Sequence, residues 1–188
     1  KFDVSDYDAC AAGLAQIEKE VGPVDILVNN AGITKDRLFH KMELAQWQAV
    51  INTNLDSLFN VTRPVINGMR DRGFGRIVNI SSINGQKGQM GQTNYSAAKA
   101  GMHGFTMALA QELANKGVTV NTISPGYIGT DMVKAIRPEV LDKIVNTIPV
   151  KRLGEPSEIA SIIAWLASNE SGYSTGADFS VNGGLHMG

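Results

Sequence analysis

"VDILVNNAG", residues 24–32, runs through three consecutive apolar side chains, Ile26, Leu27 and Val28, and stops on Asn29, Asn30 and Gly32. A strand built from such a run is apolar on both faces and needs cover from both sides. "GRIVNISS" (75–82) repeats the pattern with Ile77, Val78 and Ile80, and "VTVNTISPG" (118–126) and "ADFSVNGG" (177–184) complete the set. Helical stretches lie between them: Asp6 to Val21, Glu43 to Arg72, Thr93 to Lys116 and Pro156 to Ser168, with a further helix from Asp131 to Asn146. Pro156, preceded by Glu155, is a helix start signal. Short strands alternating with longer helices predict an α/β fold, a doubly wound parallel sheet with helices on each face, formed by residues 1–188 as a single domain. Sheets of this kind bind ligands at the carboxyl ends of their strands, where "NNAG", "NISS" and "SPG" fall.

Composition narrows the function. Of 188 residues, 43% are hydrophobic and 19% charged, enough apolar material for a packed core. A net charge of −1 without a basic stripe argues against nucleic acid, and no apolar run is long enough to cross a bilayer. Cys10 is the only cysteine, which suits a reducing compartment, and "KFDVSDYDAC" lacks the apolar centre of a secretory signal. The expectation is a soluble, cytoplasmic protein. His40, His103 and His186 have no metal-ligand spacing, so no metal is expected and they read as packing or surface residues.

"GQTNYSAAKAG" (91–101) carries the chemistry. Tyr95 and Lys99 are four residues apart and so share a face of the predicted helix. By itself that is as well read as a solvated pair. Three other features join it: Ser82 at a strand end thirteen residues earlier, "NNAG" at the end of the preceding strand, and Asn54, within "NTNL", in the helix between. A phenol has an ordinary pKa of about 10, and a cation one helical turn away favours the phenolate, so the spacing predicts a Tyr95 made more acidic by Lys99.

From residue 3 to the C-terminus these motifs resemble the short-chain dehydrogenase/reductase family, whose signature is an Asn, Ser, Tyr, Lys tetrad, here Asn54, Ser82, Tyr95 and Lys99. The resemblance implies a Rossmann-like fold and a nicotinamide cofactor. Tyr95 is then the proton donor or acceptor, Ser82 binds the substrate carbonyl oxygen, Lys99 binds cofactor ribose and tunes the phenol, and Asn54 holds a water linking Lys99 to solvent. It also implies cofactor contacts at Asp3 and Val4 beside adenine, at Asn30, Ala31 and Gly32, and at Pro125, Gly126 and Thr130 over the nicotinamide. Family members are usually dimers or tetramers built through the helices at 43–72 and 93–116. The small-residue stripe Ala97, Ala100, Gly101 and Gly104 permits close packing against either this chain's own sheet or a second copy.

The family's phosphate-binding loop, Thr-Gly-x-x-x-Gly-x-Gly after the first strand, occurs nowhere in this sequence. "FDVSD" matches the end of the family's third strand, so two N-terminal βα units of about 30 residues each are expected to be missing. The strand at 24–32 is then left with an open edge, the choice between NADP and NAD is not written in these residues, and the 188-residue chain should bind nicotinamide cofactor weakly.

Within the family, "NNAGITKDRLFHKM", "NGQKGQMGQTNYSAAKAGMHGFTMALAQE" and "GADFSVNGGLHMG" look most like the members that reduce acetoacetyl-CoA with NADPH, supplying (R)-3-hydroxybutyryl-CoA for polyhydroxybutyrate synthesis. The alternatives are reduction of a 3-oxoacyl chain on acyl carrier protein and a non-catalytic binding module. For a short 3-oxoacyl thioester the candidate contacts are Asp36, Ser82, Gln89, Gln92 and Tyr127, with Met90 as an apolar floor and Asp36 closing the pocket or orienting Gln89.

Overall fold

The structure is a computed structural model that describes residues 1–134 and 136–187. Four parallel strands form one sheet in the order β1 (Ile26–Asn29), β2 (Gly75–Ile80), β3 (Val118–Pro125), β4 (Asp178–Val181). Each connection passes through helices: α1 (Tyr7–Glu20) precedes β1, α2 (Leu44–Ile51) and α3 (Ser57–Arg72) lie between β1 and β2, and α4 (Ile83–Lys87) and α5 (Thr93–Leu113) lead to β3. After β3 come α6 (Asp131–Lys134), α7 (Pro138–Thr147) and α8 (Pro156–Ala167). This is the predicted Rossmann-like α/β arrangement.

The apolar runs are buried as their pattern requires. Leu27, Ile77 and Val120 share one face, packed against Cys10 and Leu14 of α1, Val65 and Met69 of α3 and Leu113 of α5. Val78, Ile80 and Ile123 point the other way, toward Leu166 of α8. β2 is buried at every position, whereas Ile26 and Val28 of β1 are 48% and 36% exposed because β1 has a single strand neighbour among the described residues. Residues 2–4 form no strand there; Phe2 and Val4 pack on the core beside α1, and the Val4 carbonyl accepts from Asn60 Nδ2 at 3.0 Å.

Three differences from expectation have local causes. The helix expected at 43–72 contains a π-helical turn at Asn52–Asp56 that separates α2 from α3. The helix expected at 131–146 is two helices, α7 starting afresh with Pro138 at its first turn; Ala135 lies outside the described residues. The sequence reading leaves α4 unassigned, because five residues containing Gly85 carry too little periodicity to register.

The register aligns Asn29 with Asn79 and Asn79 with Thr122 across the sheet. Their side chains form a ladder running from half-buried Asn29 into the core: Asn29 Nδ2 donates to Asn79 Oδ1 at 2.8 Å, Asn79 Nδ2 donates to Thr106 Oγ1 at 2.9 Å, and Thr106 Oγ1 lies 2.7 Å from Thr122 Oγ1. Paired polar groups on three adjacent strands fix α5 against the sheet without leaving a buried amide unsatisfied.

Candidate active site

Ser82 is the N-cap of α4, and its Oγ accepts from the Asn84 amide at 3.1 Å. α4 lies directly on α5, since a Cβ on Gly85 would come within 2.8 Å of the Lys99 carbonyl carbon. That approach sets Ser82 beside the first turns of α5, where Asn94 organises the start. Buried Asn94 accepts from the Tyr95 amide at 2.8 Å and donates to the carbonyls of Lys35 and Gln46 at 3.2 and 3.3 Å, joining α5 to α2 and to the loop after β1. Sequence reasoning missed Asn94, whose place in the first turn of α5 gives only the general signal that an Asn at a helix start bonds nearby main chain.

Tyr95 and Lys99 do share a face: the Lys99 ammonium lies 5.6 Å from the centre of the Tyr95 ring. The predicted acidification of the phenol is not what the structure shows. Burial pushes the Tyr95 pKa up, the Ser82 hydroxyl pulls it down, and the Asp36 carboxylate pushes it up again. Lys99 instead donates to the Ile80 carbonyl at 2.7 Å and sits against Met102 Sδ at 3.8 Å, and burial lowers its pKa to about 8. An ammonium has three N–H donors, and one oxygen plus one sulfur leave it with hydrogen-bonding capacity to spare.

Buried Asn54 sits in the π-helical turn. Its Oδ1 accepts from the Ile33 amide at 2.9 Å and its Nδ2 donates to the Ile33 carbonyl at 2.8 Å, so both ends of the carboxamide hold the loop that follows "NNAG". Gly32 lies between Asn54 and Lys99: a Cβ there would be 2.7 Å from Asn54 Oδ1 and 3.6 Å from Lys99 Nζ. The structure thus brings Ser82, Tyr95 and Lys99 together, with Asn54 joined to them across Gly32.

The remaining candidates fall on two sides. Asn30, Ala31 and Gly32 are exposed at the end of β1, where Asn30 and Ala31 border a cavity of about 120 Å³ shared with Phe2, Val4 and Met102. Asp3 is exposed, and its Oδ1 accepts from both the amide and hydroxyl of Ser5, which holds the carboxyl below its ordinary range. Pro125 ends β3, Gly126 donates its amide to the Val181 carbonyl at 2.9 Å, and Thr130 is exposed just before α6.

On the other side, Asp36 Oδ2 accepts from Gln92 Nε2 at 2.8 Å, and Gln92 Oε1 accepts from Asn84 Nδ2 at 2.9 Å. Asp36 therefore orients Gln92 and not Gln89, a correction that follows from Gln92 standing one residue before α5 while Gln89 pairs with Lys87 at 3.5 Å. Gln89 and Tyr127 line a crevice of about 440 Å³ with Lys87, Lys143, Ile144 and Leu185. Met90 is 85% exposed and forms no floor in this chain. The small-residue stripe divides: Gly101 packs on Leu55 of the π-helical turn, while Ala97, Ala100 and Gly104 are exposed.

Comparison with known proteins agrees with this geometry. The family model described as Enoyl-(Acyl carrier protein) reductase matches residues 1–186. An acetoacetyl-CoA reductase of Cupriavidus necator is 73% identical over 186 residues, covering 99% of this chain and 76% of the relative. Another from Shinella zoogloeoides is 68% identical over 98% of this chain and 77% of its own. A 3-oxoacyl-[acyl-carrier-protein] reductase of Vibrio harveyi is 47% identical over 99% and 76%. With a parallel sheet, a Ser-Tyr-Lys cluster at its carboxyl edge and identities this high over nearly every residue, the chain belongs to the short-chain dehydrogenase/reductase family of oxidoreductases.

Proposed function

We propose that this protein reduces the 3-keto group of acetoacetyl-CoA with NADPH, giving (R)-3-hydroxybutyryl-CoA. The observation that carries the reading is that the Ser82 hydroxyl acts on the Tyr95 phenol while the buried Lys99 ammonium lies 5.6 Å from the centre of the same ring. Lys99 has one N–H to spare for a ribose hydroxyl, and Gly32 beside it is exposed, so the residues present fit a nicotinamide cofactor. Asn30, Ala31, Gly32, Pro125, Gly126 and Thr130 complete the proposed cofactor contacts, with Asp3 and Val4 at the adenine end. When bound, the cofactor supplies the hydride.

The side chains do the rest. Ser82 Oγ donates to the substrate carbonyl oxygen and strengthens that bond as negative charge grows there. Tyr95 Oη gives its proton to the same oxygen. A protonated phenol is the form this step needs, and burial keeps Tyr95 in it at neutral pH. Lys99, with a pKa of about 8, still carries its charge near neutrality and stabilises the phenolate left behind. Asn54 holds Gly32 and Ile33 in register and completes the proton path to solvent. Asp36, Gln89, Gln92 and Tyr127 contact the thioester.

Identity of 73% and 68% to acetoacetyl-CoA reductases against 47% to a carrier-protein reductase favours coenzyme A as the acyl carrier. A net charge of −1 also suits poorly the docking of a strongly acidic carrier protein. The exposed Ala97, Ala100 and Gly104 of α5, with exposed Phe59 on α3, support a dimer or tetramer built on those helices. Among the described residues no helix is long and apolar enough to cross a membrane, and the proposed setting is the cytoplasm.

The test is loss of NADPH absorbance with acetoacetyl-CoA and with acetoacetyl carrier protein. Faster turnover of the carrier substrate replaces the first reading with the second, and no oxidation of NADPH with either leaves a binding module.

A further inference from the structure

We propose that His103, set between Ser81 and Asp178, is a positioning residue for Lys99, acting through the hydroxyl of Ser81. The inference rests on the reading of Lys99 as a group of the active site. The sequence reading assigns His103 to packing or surface, outside the tetrad.

His103 lies one helical turn beyond Lys99 on α5. Its Nε2 is 2.9 Å from Ser81 Oγ and 3.4 Å from Ser124 Oγ. Ser81 already donates its hydroxyl hydrogen to the Lys99 carbonyl at 2.9 Å, and Ser124 donates its own to Asp178 Oδ1 at 2.7 Å. Both hydroxyl hydrogens are committed, so the hydrogen between His103 and Ser81 has to come from Nε2. His103 thereby holds Ser81 in the orientation that reaches Lys99. The other ring nitrogen, Nδ1, faces Asp178 Oδ2 at 3.7 Å.

Asp178 is the hub of this cluster. Besides Ser124 and His103 it meets Gln86, whose Nε2 donates to Asp178 Oδ2 and to Ser180 Oγ, each at 2.7 Å. Gln86 belongs to α4, the helix that Ser82 caps, and its Oε1 is buried without a partner among the described residues, so only its nitrogen end fixes it. One carboxylate on an outer strand therefore ties together β3, α4 and α5. No other charged side chain reaches the cluster among the described residues.

The payload of the chain is Lys99. Residues 80 and 81 grip it twice and in opposite senses, the Ile80 carbonyl accepting from Nζ and the Ser81 hydroxyl donating to the main-chain oxygen. A buried ammonium released from such a grip moves toward water. Without the Nε2 donor, Ser81 is free to turn away and the second half of the grip is lost.

The test follows the Lys99 ammonium titration by NMR in the chain labelled at lysine, with neither cofactor nor thioester present. The wild-type midpoint should fall at about 8. His103→Leu should raise it by about one pH unit as Lys99 gains water, and Ser81→Ala should do the same. The double variant should shift no further than Ser81→Ala alone, because both changes cut one chain of contacts. His103→Gln, whose terminal amide nitrogen takes the place of Nε2, should keep the wild-type midpoint. In the reductase assay His103→Leu should lower kcat about tenfold with little change in KM, and His103→Gln should restore it. An unshifted midpoint in both single variants, additive shifts in the double variant, or no rescue by glutamine overturns the proposal. Should His103→Leu fail to fold, Ser81→Ala decides by itself. A protein that reduces nothing still answers the titration, so the proposal and the reductase reading fail separately.

Discussion

The Lys99 ammonium donates to the main-chain oxygen of Ile80 across 2.7 Å at a position 3% exposed to solvent. One carbonyl compensates a buried cation poorly, and burial accordingly draws its pKa from 10.5 to about 8. Between those values the unfolded chain binds more protons than the folded one, so stability is lowest below pH 8 and climbs as pH rises through the window. The penalty corresponds to on the order of 3 kcal/mol. Lys99→Met keeps the apolar stem and removes the charge. It should raise the urea-unfolding free energy at pH 7 by about 1–3 kcal/mol, abolish the rise between pH 8 and 10.5, and eliminate reductase activity. A variant no more stable than wild type at pH 7 would count against a costly buried cation.

Tyr95 behaves in the opposite sense. Its folded pKa is raised, chiefly by burial, so the stability it contributes is present below its unfolded pKa of about 10 and is lost as pH rises through the folded value. In a spectrophotometric titration of the four tyrosines, one should ionise late, and Tyr95→Phe should remove that component. Asp36→Asn should bring it to lower pH by deleting a neighbouring negative charge. Turnover should fall by about 10²-fold or more in Tyr95→Phe, since the proton donor is gone.

Much of this was legible in the residues, and what was not has a physical reason. Ile77–Ile80 announces a strand because burial on two faces leaves little room for polar alternation, and Ile26–Val28 carries the same apolar run although Ile26 and Val28 themselves are exposed. A spacing of four puts Tyr95 and Lys99 on one helical face whatever surrounds them. The spacing does not tell how deeply that face is buried, and desolvation reverses the expected shift of the phenol. The Asn29, Asn79, Thr106 ladder and the His103, Asp178 cluster join residues 27 to 75 positions apart, and each reads locally as an ordinary polar residue. The π-helical turn at Asn52–Asp56 is equally silent, because α-helical periodicity runs on either side of it.

Asn54 carries a prediction of its own. Both ends of its carboxamide are used by Ile33, and truncation leaves the main-chain donor and acceptor of that residue without partners. Asn54→Ala should cost about 1–3 kcal/mol in unfolding free energy, and amide exchange at Ile33 should speed up well before global unfolding. Asn54→Asp keeps the acceptor and loses the donor, so it should restore exchange protection at the Ile33 amide only in part. Wild-type exchange at Ile33 in the alanine variant would remove Asn54 from its role in holding this loop.

Gly85 tests whether helix approach, and not the hydroxyl alone, sets the position of Ser82. A methyl group there would stand 2.8 Å from the Lys99 carbonyl carbon and 3.0 Å from the Ala100 nitrogen, both main-chain atoms that cannot swing aside. Gly85→Ala must therefore push α4 away from α5. The cost should be about 1–3 kcal/mol of stability. Ser82 caps the displaced helix, so its hydroxyl should move off the phenol, and kcat should drop while the Ser82 side chain remains chemically intact. Losing the Ser82 contact should also let the late tyrosine ionisation drift higher, because that hydroxyl lowers the Tyr95 pKa. Wild-type turnover and an unmoved tyrosine titration in Gly85→Ala would mean that Ser82 is placed by something other than the contact between α4 and α5.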